Sequence, residues 1–273
     1  MQKKLIFLDI DGTLTDFYGR IPLSAKKALN LAKQAGHQLV LCTGRTKSEI
    51  PKEVLEMNFD GIIGAAGAYV ECHGETVYHH VIESSQLLKM VNFFEQHHIT
   101  YCLQTGEGVV MTKQNREGFR DCFLRMGLDE ETIWRVLAAD VILEENSRKR
   151  KNVEKAAYYE SVLNANVIRE ALGDYFVVEG ASYGTNSVSN GEITCTGVTK
   201  ATGIEHYVAY VGGHMSATVG IGDGLNDVDM MNKTAVAVAM GNAKTETKAV
   251  ADYVTDAVDK DGLWKAFEHL QLI

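Results

Sequence analysis

Over residues 3–68 the chain alternates short apolar runs with segments of helical period, and this constrains its fold more than any other feature. Leu5, Ile6, Phe7 and Leu8 form the first run. Residues 24–36 follow, in which Ala28, Leu31, Ala32 and Ala35 recur at helical spacing, with Ser24 placed to cap the start and Gly36 to end it. A second apolar run covers 38–42, and a third, around 61–64, comes after a further helix-like stretch. Strand, crossover helix and strand in succession build a parallel sheet, because parallel neighbours cannot be joined by a tight turn. The pattern returns at 217–222, in a helix around 229–232, at 235–239 and at 253–255. Both ends of the chain are therefore expected to share one α/β domain.

The middle has a different texture. A helix is expected at 84–98, with Leu87, Val91 and Phe94 on one face, then strands at 100–103 and 109–112 and a helix at 118–126. Strands at 141–143, 155–159 and 175–178 follow, with a helix at 165–172 between the last two. We read this stretch as an inserted α+β domain over 82–185, with 1–81 and 186–273 as the α/β core. The 273 residues, 45% of them hydrophobic, suffice for one large domain or two, and two prolines leave no proline-rich linker.

A net charge of −9 argues against nucleic acid or an anionic membrane surface as the main partner. The five cysteines (Cys42, Cys72, Cys102, Cys122 and Cys195) are odd in number and form no Cys-x-x-Cys pair, which reads as free, buried thiols in a reducing cytoplasm. The first apolar run is broken by Asp9 and Asp11, so it reads as neither signal peptide nor anchor, and no later segment has the length of a membrane span.

The chemistry-bearing residues fall where strands end. Asp9-Ile10-Asp11-Gly12-Thr13 closes the first run, and a strand that curls at its end can bring both carboxylates to one point, with Gly12 allowing the curl. Two close carboxylates repel, so such a pair holds a cation, shares a proton or does chemistry; an ordinary turn also places Asp beside Gly. Thr43-Gly44-Arg45 ends the second run and offers a hydroxyl and backbone amides to a phosphate oxygen, or simply starts a helix. Gly222-Asp223-Gly224-Leu225-Asn226-Asp227 is more specific. Two carboxylates and an amide in one glycine-bracketed turn suit a hard cation such as Mg²⁺. Lys200, in Gly197-Val198-Thr199-Lys200-Ala201-Thr202-Gly203, is by default a solvated lysine; if it points inward, it neutralises negative charge there.

In order, Asp9-x-Asp11-Gly12-Thr13, Thr43, Lys200 and Gly222-Asp223-Gly224-x-Asn226-Asp227 resemble the four motifs of the haloacid dehalogenase-like (HAD) hydrolase superfamily. The large insertion is similar to the α/β (C2-type) cap of its Cof-type branch. Gly191-Glu192-Ile193, Val238-Ala239-Met240-Gly241-Asn242-Ala243 and Asp261-Gly262 fit the same resemblance. It covers both core segments, about two-thirds of the chain, and matches the cap by position and texture only. One departure stands out: members of the branch commonly carry Asn-Gly-Ala after the third strand, and here Ala65-Ala66-Gly67-Ala68 puts Ala66 where the amide is expected.

The resemblance implies a Rossmann-like parallel-sheet core with an inserted α+β cap, and a Mg²⁺-dependent phosphatase of small phosphorylated metabolites such as sugar phosphates. Asp9 would be the nucleophile and Asp11 the acid/base, with Mg²⁺ held by Asp9, the Asp11 carbonyl and Asp223 and supported by Asp227. Thr43, Gly44 and Lys200 would hold the phosphoryl oxygens, and Asn226 would order the region of Lys200 and Asp223. An aspartate at position 11 favours phosphatase or phosphomutase over the ion-pumping ATPases, which carry Thr there. The alternatives are a sugar phosphomutase and a catalytically silent phospho-ligand-binding regulator. An oxidoreductase is disfavoured by the lack of Gly-x-Gly-x-x-Gly at the first helix. In the insertion, Arg148-Lys149-Arg150-Lys151 and Lys155 could meet an anionic substrate, although a charge run is ordinarily a solvated face. Tyr101, Tyr158, Tyr159 and Tyr183 are ring-contact candidates for which core packing is the default, and the pairs His79-His80 and His97-His98 lack metal-site spacing.

Overall fold

The computed structural model describes residues 3–131, 133, 141–180 and 189–273. Its strands are β1 (Leu5–Leu8), β2 (Gln38–Cys42), β3 (Gly61–Gly64), β4 (Tyr69–Cys72), β5 (Glu75–His79), β6 (Thr100–Thr105) and β7 (Gly108–Met111). They continue as β8 (Val141–Leu143), β9 (Val153–Ser161), β10 (Phe176–Gly180), β11 (Ser189–Cys195), β12 (Thr218–Gly222), β13 (Val236–Ala239) and β14 (Tyr253–Val254). The longer helices are α1 (Leu23–Gln34), α2 (Ser84–Gln96), α3 (Lys113–Arg125), α4 (Ala165–Leu172), α5 (Lys200–Tyr210) and α6 (Gly262–His269). Among the described residues no helix is long and apolar enough to cross a membrane.

The chain divides into two compact units. One comprises Met1–Gly44, Pro51–His79 and Thr199–Ile273, the other Arg45–Ile50 and His80–Val198. The first holds an eight-stranded sheet in the order β14-β13-β12-β1-β2-β3-β4-β5. From β14 to β3 all neighbours run parallel, while β4 and β5 are added antiparallel. β1 is buried at all four positions, as expected of a central strand covered on both faces. Phe7 packs edge-on against Tyr207 of α5, with ring centroids 5.9 Å apart, in a core shared with Val40, Ile63 and Ile204. This is the α/β domain that the alternation at both ends implied, and the Rossmann-like core that the family resemblance implied.

The second unit holds a six-stranded sheet in the order β10-β11-β9-β6-β7-β8, antiparallel except for the β7–β8 pair. On one face Tyr101 and Tyr158, opposite each other in the β6–β9 ladder, pack against Phe94 of α2. On the other, Cys102, Met111 and Ala157 pack with Phe119 of α3. β11 pairs with both β9 and β10, so the chain returns to the first unit at Thr199 and not at 186. The reason is non-local: an isolated β-rich run carries no mark of which sheet will accept it.

Two helix starts also differ from expectation. α1 begins at Leu23 with Pro22 as its N-cap, and Ser24 makes no cap. The Pro22 carbonyl accepts from the Lys26 N–H at 3.1 Å, and its preset φ launches the helix two residues early. Gly36 does close α1, in the left-handed conformation at φ 86°. α3 begins at Lys113, where Thr112 Oγ1 accepts from the Asn115 N–H at 3.0 Å. Its first turn is polar, so apolar spacing alone marks only the later part.

Candidate active site

The motif residues arrive at carboxyl ends of parallel strands. β1 delivers Asp9, β2 delivers Thr43 and Gly44, and β12 delivers Asp223 and Asp227. β1 lies between β2 and β12, so the chain leaves it towards one side of the sheet and later returns on the other. At such a reversal of strand order the connections diverge and leave a crevice at the strand ends, where open α/β sheets take ligands.

Lys200 is the first residue of α5. Its helix start is held by a reciprocal cap: Thr199 Oγ1 accepts from the Thr202 N–H at 3.3 Å, and Thr202 Oγ1 accepts from the Thr199 N–H at 3.0 Å. A cation at a helix N-terminus opposes the helix dipole and needs compensation. It comes from two carboxylates. Lys200 Nζ, 2% exposed as a residue, donates to Asp9 Oδ1 at 2.7 Å and to Asp227 Oδ1 at 2.5 Å. Asp227 Oδ2 in turn accepts from the N–H groups of Asp223 (3.0 Å) and Gly224 (2.8 Å). Both oxygens of this fully buried carboxylate are therefore committed to orienting Lys200 and the Asp223 turn.

The carboxylates of Asp9, Asp223 and Asp227 offer oxygens within 4.8 Å of one another. Asp223 is steadied by Thr13 Oγ1, which donates to Oδ1 at 3.2 Å, and by Asn242 Nδ2, which donates to Oδ2 at 3.2 Å and to the Gly12 carbonyl at 2.8 Å. Gly12 stands at φ 84°, and a Cβ there would come within 2.3 Å of Asp223 Oδ2. The glycine thus serves both the left-handed turn and the close approach.

Burial, followed by the Asp227 carboxylate, pushes the Asp9 carboxyl up to about 7. The same two causes raise Asp223 to about 6. Burial opposes the charge on Lys200, but Asp227 and Asp9 outweigh it and hold its pKa above the ordinary value. Three carboxylates against one lysine leave a surplus of negative charge in a buried place. The donor set is all hard oxygen, with no thiolate or imidazole, which fits a cation such as Mg²⁺.

Asp11 is exposed, two residues beyond Asp9, and its carboxylate is not part of this acidic group. Thr43 is buried at the end of β2, its N–H donating to the Ile63 carbonyl at 2.8 Å and its carbonyl accepting from the Ala66 N–H at 3.0 Å. Gly44 follows it, and a Cβ there would lie 3.5 Å from Asn226 Nδ2. Asn226 itself is exposed, and no hydrogen bond joins it to Lys200 or Asp223 among the described residues. The ordering expected of Asn226 falls instead to Asp227: Asn226, in the middle of the turn Leu225–Asp227, is exposed, while Asp227 one residue later is buried and bonded to Lys200, Asp223 and Gly224. Thr13 and Asn242 had been given no role. Asn242 could have been found as a fourth strand end, two residues past Met240 after β13.

The model of the family described as haloacid dehalogenase-like hydrolase matches residues 6–267. The chain belongs to this family. The HAD relatives it resembles include the phosphatase YwpJ of Bacillus subtilis strain 168, 24% identical over 98% of this chain and 99% of that one. A second is the 5-amino-6-(5-phospho-D-ribitylamino)uracil phosphatase YcsE of the same organism, 26% identical over 97% and 95%. Among solved structures, that of the HAD subclass IIB sugar phosphatase BT4131 superposes with a TM-score of 0.80 at 27% identity, covering 99% of this chain and 100% of that one. These full-length likenesses agree with the Cof-type branch that the motifs resembled.

Elsewhere in the second unit of this HAD protein the other candidates resolve into packing and ion pairs. Tyr101 and Tyr158 are core residues, and Tyr159 packs against Phe119 with centroids 4.7 Å apart; Tyr183 lies outside the described residues. Arg148 pairs with Glu95, Arg150 with Glu107 and with Glu144 (3.1 Å), and Lys155 with Glu192 (2.6 Å).

Proposed function

We propose that this HAD hydrolase is a Mg²⁺-dependent phosphatase of small phosphorylated metabolites, phosphorylated sugars among them, acting through an aspartyl-phosphate at Asp9. The observation that carries the reading is the buried Asp9–Lys200–Asp227 array beside Asp223 at the strand-order reversal. The phosphatase names of full-length relatives support it.

Phosphate monoesters resist attack because nucleophile and phosphoryl group are both anionic. Asp9 and Asp223 would hold Mg²⁺, with the Asp11 carbonyl as a third donor and Asp227 orienting them, and the bound cation supplies the charge that lets two anions approach. Lys200 fixes the Asp9 carboxylate at 2.7 Å, so one rotamer of the nucleophile is set before substrate arrives. Asp9 attacks phosphorus while the bond to the leaving oxygen breaks, and Asp11 gives that oxygen its proton. Asp11 then takes a proton from the water that attacks the phosphorus, releasing phosphate and restoring Asp9. Thr43, Gly44 and Lys200 hold the phosphoryl oxygens. The insertion, in this reading, is the substrate-selecting cap.

The test is release of inorganic phosphate from p-nitrophenyl phosphate and a metabolite panel, with and without Mg²⁺. Asp9→Asn is expected to abolish turnover while the circular dichroism spectrum and melting profile stay native-like. Retained turnover in that variant removes the nucleophile assignment, and return of phosphate to the sugar in place of its release identifies a mutase.

A further inference from the structure

Asn242 lies in the loop that follows β13, and its side chain makes three hydrogen bonds, none of them local. Nδ2 donates to the Gly12 carbonyl at 2.8 Å and to Asp223 Oδ2 at 3.2 Å, and Oδ1 accepts from the Val258 N–H at 2.9 Å. These partners are 230, 19 and 16 residues away, so the amide is no ordinary turn residue bonding its own backbone. Its orientation follows from theirs. The Val258 N–H can only donate, and the Gly12 carbonyl and the Asp223 carboxylate can only accept, so a reversed amide would turn all three contacts repulsive. Val258 thus fixes Oδ1 and leaves both hydrogens of Nδ2 for the two acceptors. The main chain supports the arrangement, since the Gly241 N–H donates to the Asp256 carbonyl at 2.9 Å and so ties the loop to the segment that carries Val258.

The two acceptors belong to the two segments that supply cation donors. Gly12 directly follows Asp11, whose carbonyl is one expected donor, and Asp223 is another. Thr13 Oγ1 holds Asp223 Oδ1, so with Asn242 each carboxylate oxygen carries one donor from outside its own turn. The loop also holds the main chain of that turn: the Lys244 N–H donates to the Asp223 carbonyl at 3.3 Å, and Thr247 Oγ1 donates to the Gly224 carbonyl at 2.9 Å. The division of labour is clear from the atoms. Lys244 and Thr247 hold the backbone of the turn, whereas Asn242 holds the carboxylate itself and ties it to the Gly12 turn.

We propose that Asn242 is a positioning residue of the cation site, fixing the Asp223 carboxylate against the Asp9–Gly12 turn and thereby setting the affinity for Mg²⁺. This rests on the Mg²⁺-dependent phosphatase reading and deepens it. Asp9 and Asp227 share the buried place with Asp223, and their like charge favours turning its carboxylate away. A donor on each oxygen opposes that rotation, so the carboxylate is oriented during folding and not during binding. Each oxygen accepts one of these bonds and keeps further lone-pair capacity for a cation. Loss of a partner that orients a ligand typically weakens metal binding by about 10–100-fold.

The experiment is calorimetric titration of the full chain with Mg²⁺ alone, without substrate, repeated in Asn242→Ala, Thr247→Val and Val258→Pro. Asn242→Ala removes the amide. Thr247→Val removes a bond to the same turn and leaves the carboxylate contact intact. Val258→Pro removes the N–H that sets the amide orientation; proline is tolerated at the first position of the short helical turn Val258–Lys260, and Ala257, at φ −65° and ψ 158°, has the conformation that precedes a proline. Asn242→Ala is expected to weaken Mg²⁺ binding about tenfold, Val258→Pro by a smaller factor in the same direction, and Thr247→Val to leave it within about twofold of the full chain, with native-like circular dichroism throughout. Should Asn242→Ala fail to fold, the comparison of Val258→Pro with Thr247→Val carries the test. Unchanged affinity in both Asn242→Ala and Val258→Pro overturns the proposal, as does an equal loss in Thr247→Val, because any loosening of the turn would then suffice. Absence of Mg²⁺ binding in the full chain removes instead the Mg²⁺ reading on which the proposal rests.

Discussion

At the scale of single residues, the site is dominated by charge held away from water. Asp9 and Asp223 bind protons more tightly in the folded chain than in the unfolded one, because burial and Asp227 raise their carboxyls to about 7 and about 6. Their contribution to stability is thus fully present below about pH 4 and is lost as the pH rises through about 6 and then about 7. A divalent cation competes with those protons, so its effect runs the other way. The rise in melting temperature on adding Mg²⁺ is expected to be larger at pH 8 than at pH 5; an equal rise at both would dissociate the cation from these carboxyls. A second residue stores strain of a different kind. Ala66 sits in the left-handed region at φ 55°, ψ 30°, where a Cβ is crowded by its own backbone and where Asn is better tolerated. Ala66→Asn is expected to stabilise the protein by about 1 kcal/mol, read from urea unfolding. The amide common in the Cof-type branch thus has a backbone reason at this position, whatever it does for substrate.

At the scale of elements, the strand ends and one helix start place the chemistry. Lys200 reaches Asp9 and Asp227 because α5 begins at Lys200 itself, directly after its N-cap Thr199 in the Thr199–Thr202 cap. Thr199→Ala removes one half of that cap and is expected to cost about 1 kcal/mol of stability. It is also expected to slow turnover severalfold through kcat, since a frayed first turn moves the ammonium. Full kcat with the same loss of stability would show that the cap acts on the helix alone. These element-level features were unevenly legible. The apolar runs of β1, β2, β3 and β12 and the end of α1 at Gly36 were readable because periodicity and glycine act locally. The start of α3 was not, because its first turn is polar and depends on Thr112, and Ser24 was displaced by a proline two residues earlier.

At the scale of the whole molecule, 273 residues divide into a parallel-sheet unit and a mostly antiparallel one inserted in it. All five cysteines are free and buried, and burial pushes the thiols of Cys122 and Cys195 up to about 11 and those of Cys42 and Cys102 further. A thiol reagent such as 5,5′-dithiobis(2-nitrobenzoate) is expected to react slowly with the native protein and rapidly with five thiols in guanidinium. Fast reaction of any thiol in the native state would mark a local opening. The sequence by itself determined which residues stand at strand ends and which family's motifs they form, since a strand terminus and its turn are set by neighbours in the chain. Only the tertiary structure decided which of them share a point. Lys200 is 191 residues from Asp9 and 27 from Asp227, and their meeting depends on β12 docking beside β1. The same holds for β11 and for the burial of Asp227 in place of Asn226. Sheet order and side-chain burial are properties of contacts between distant segments, and no local pattern carries them.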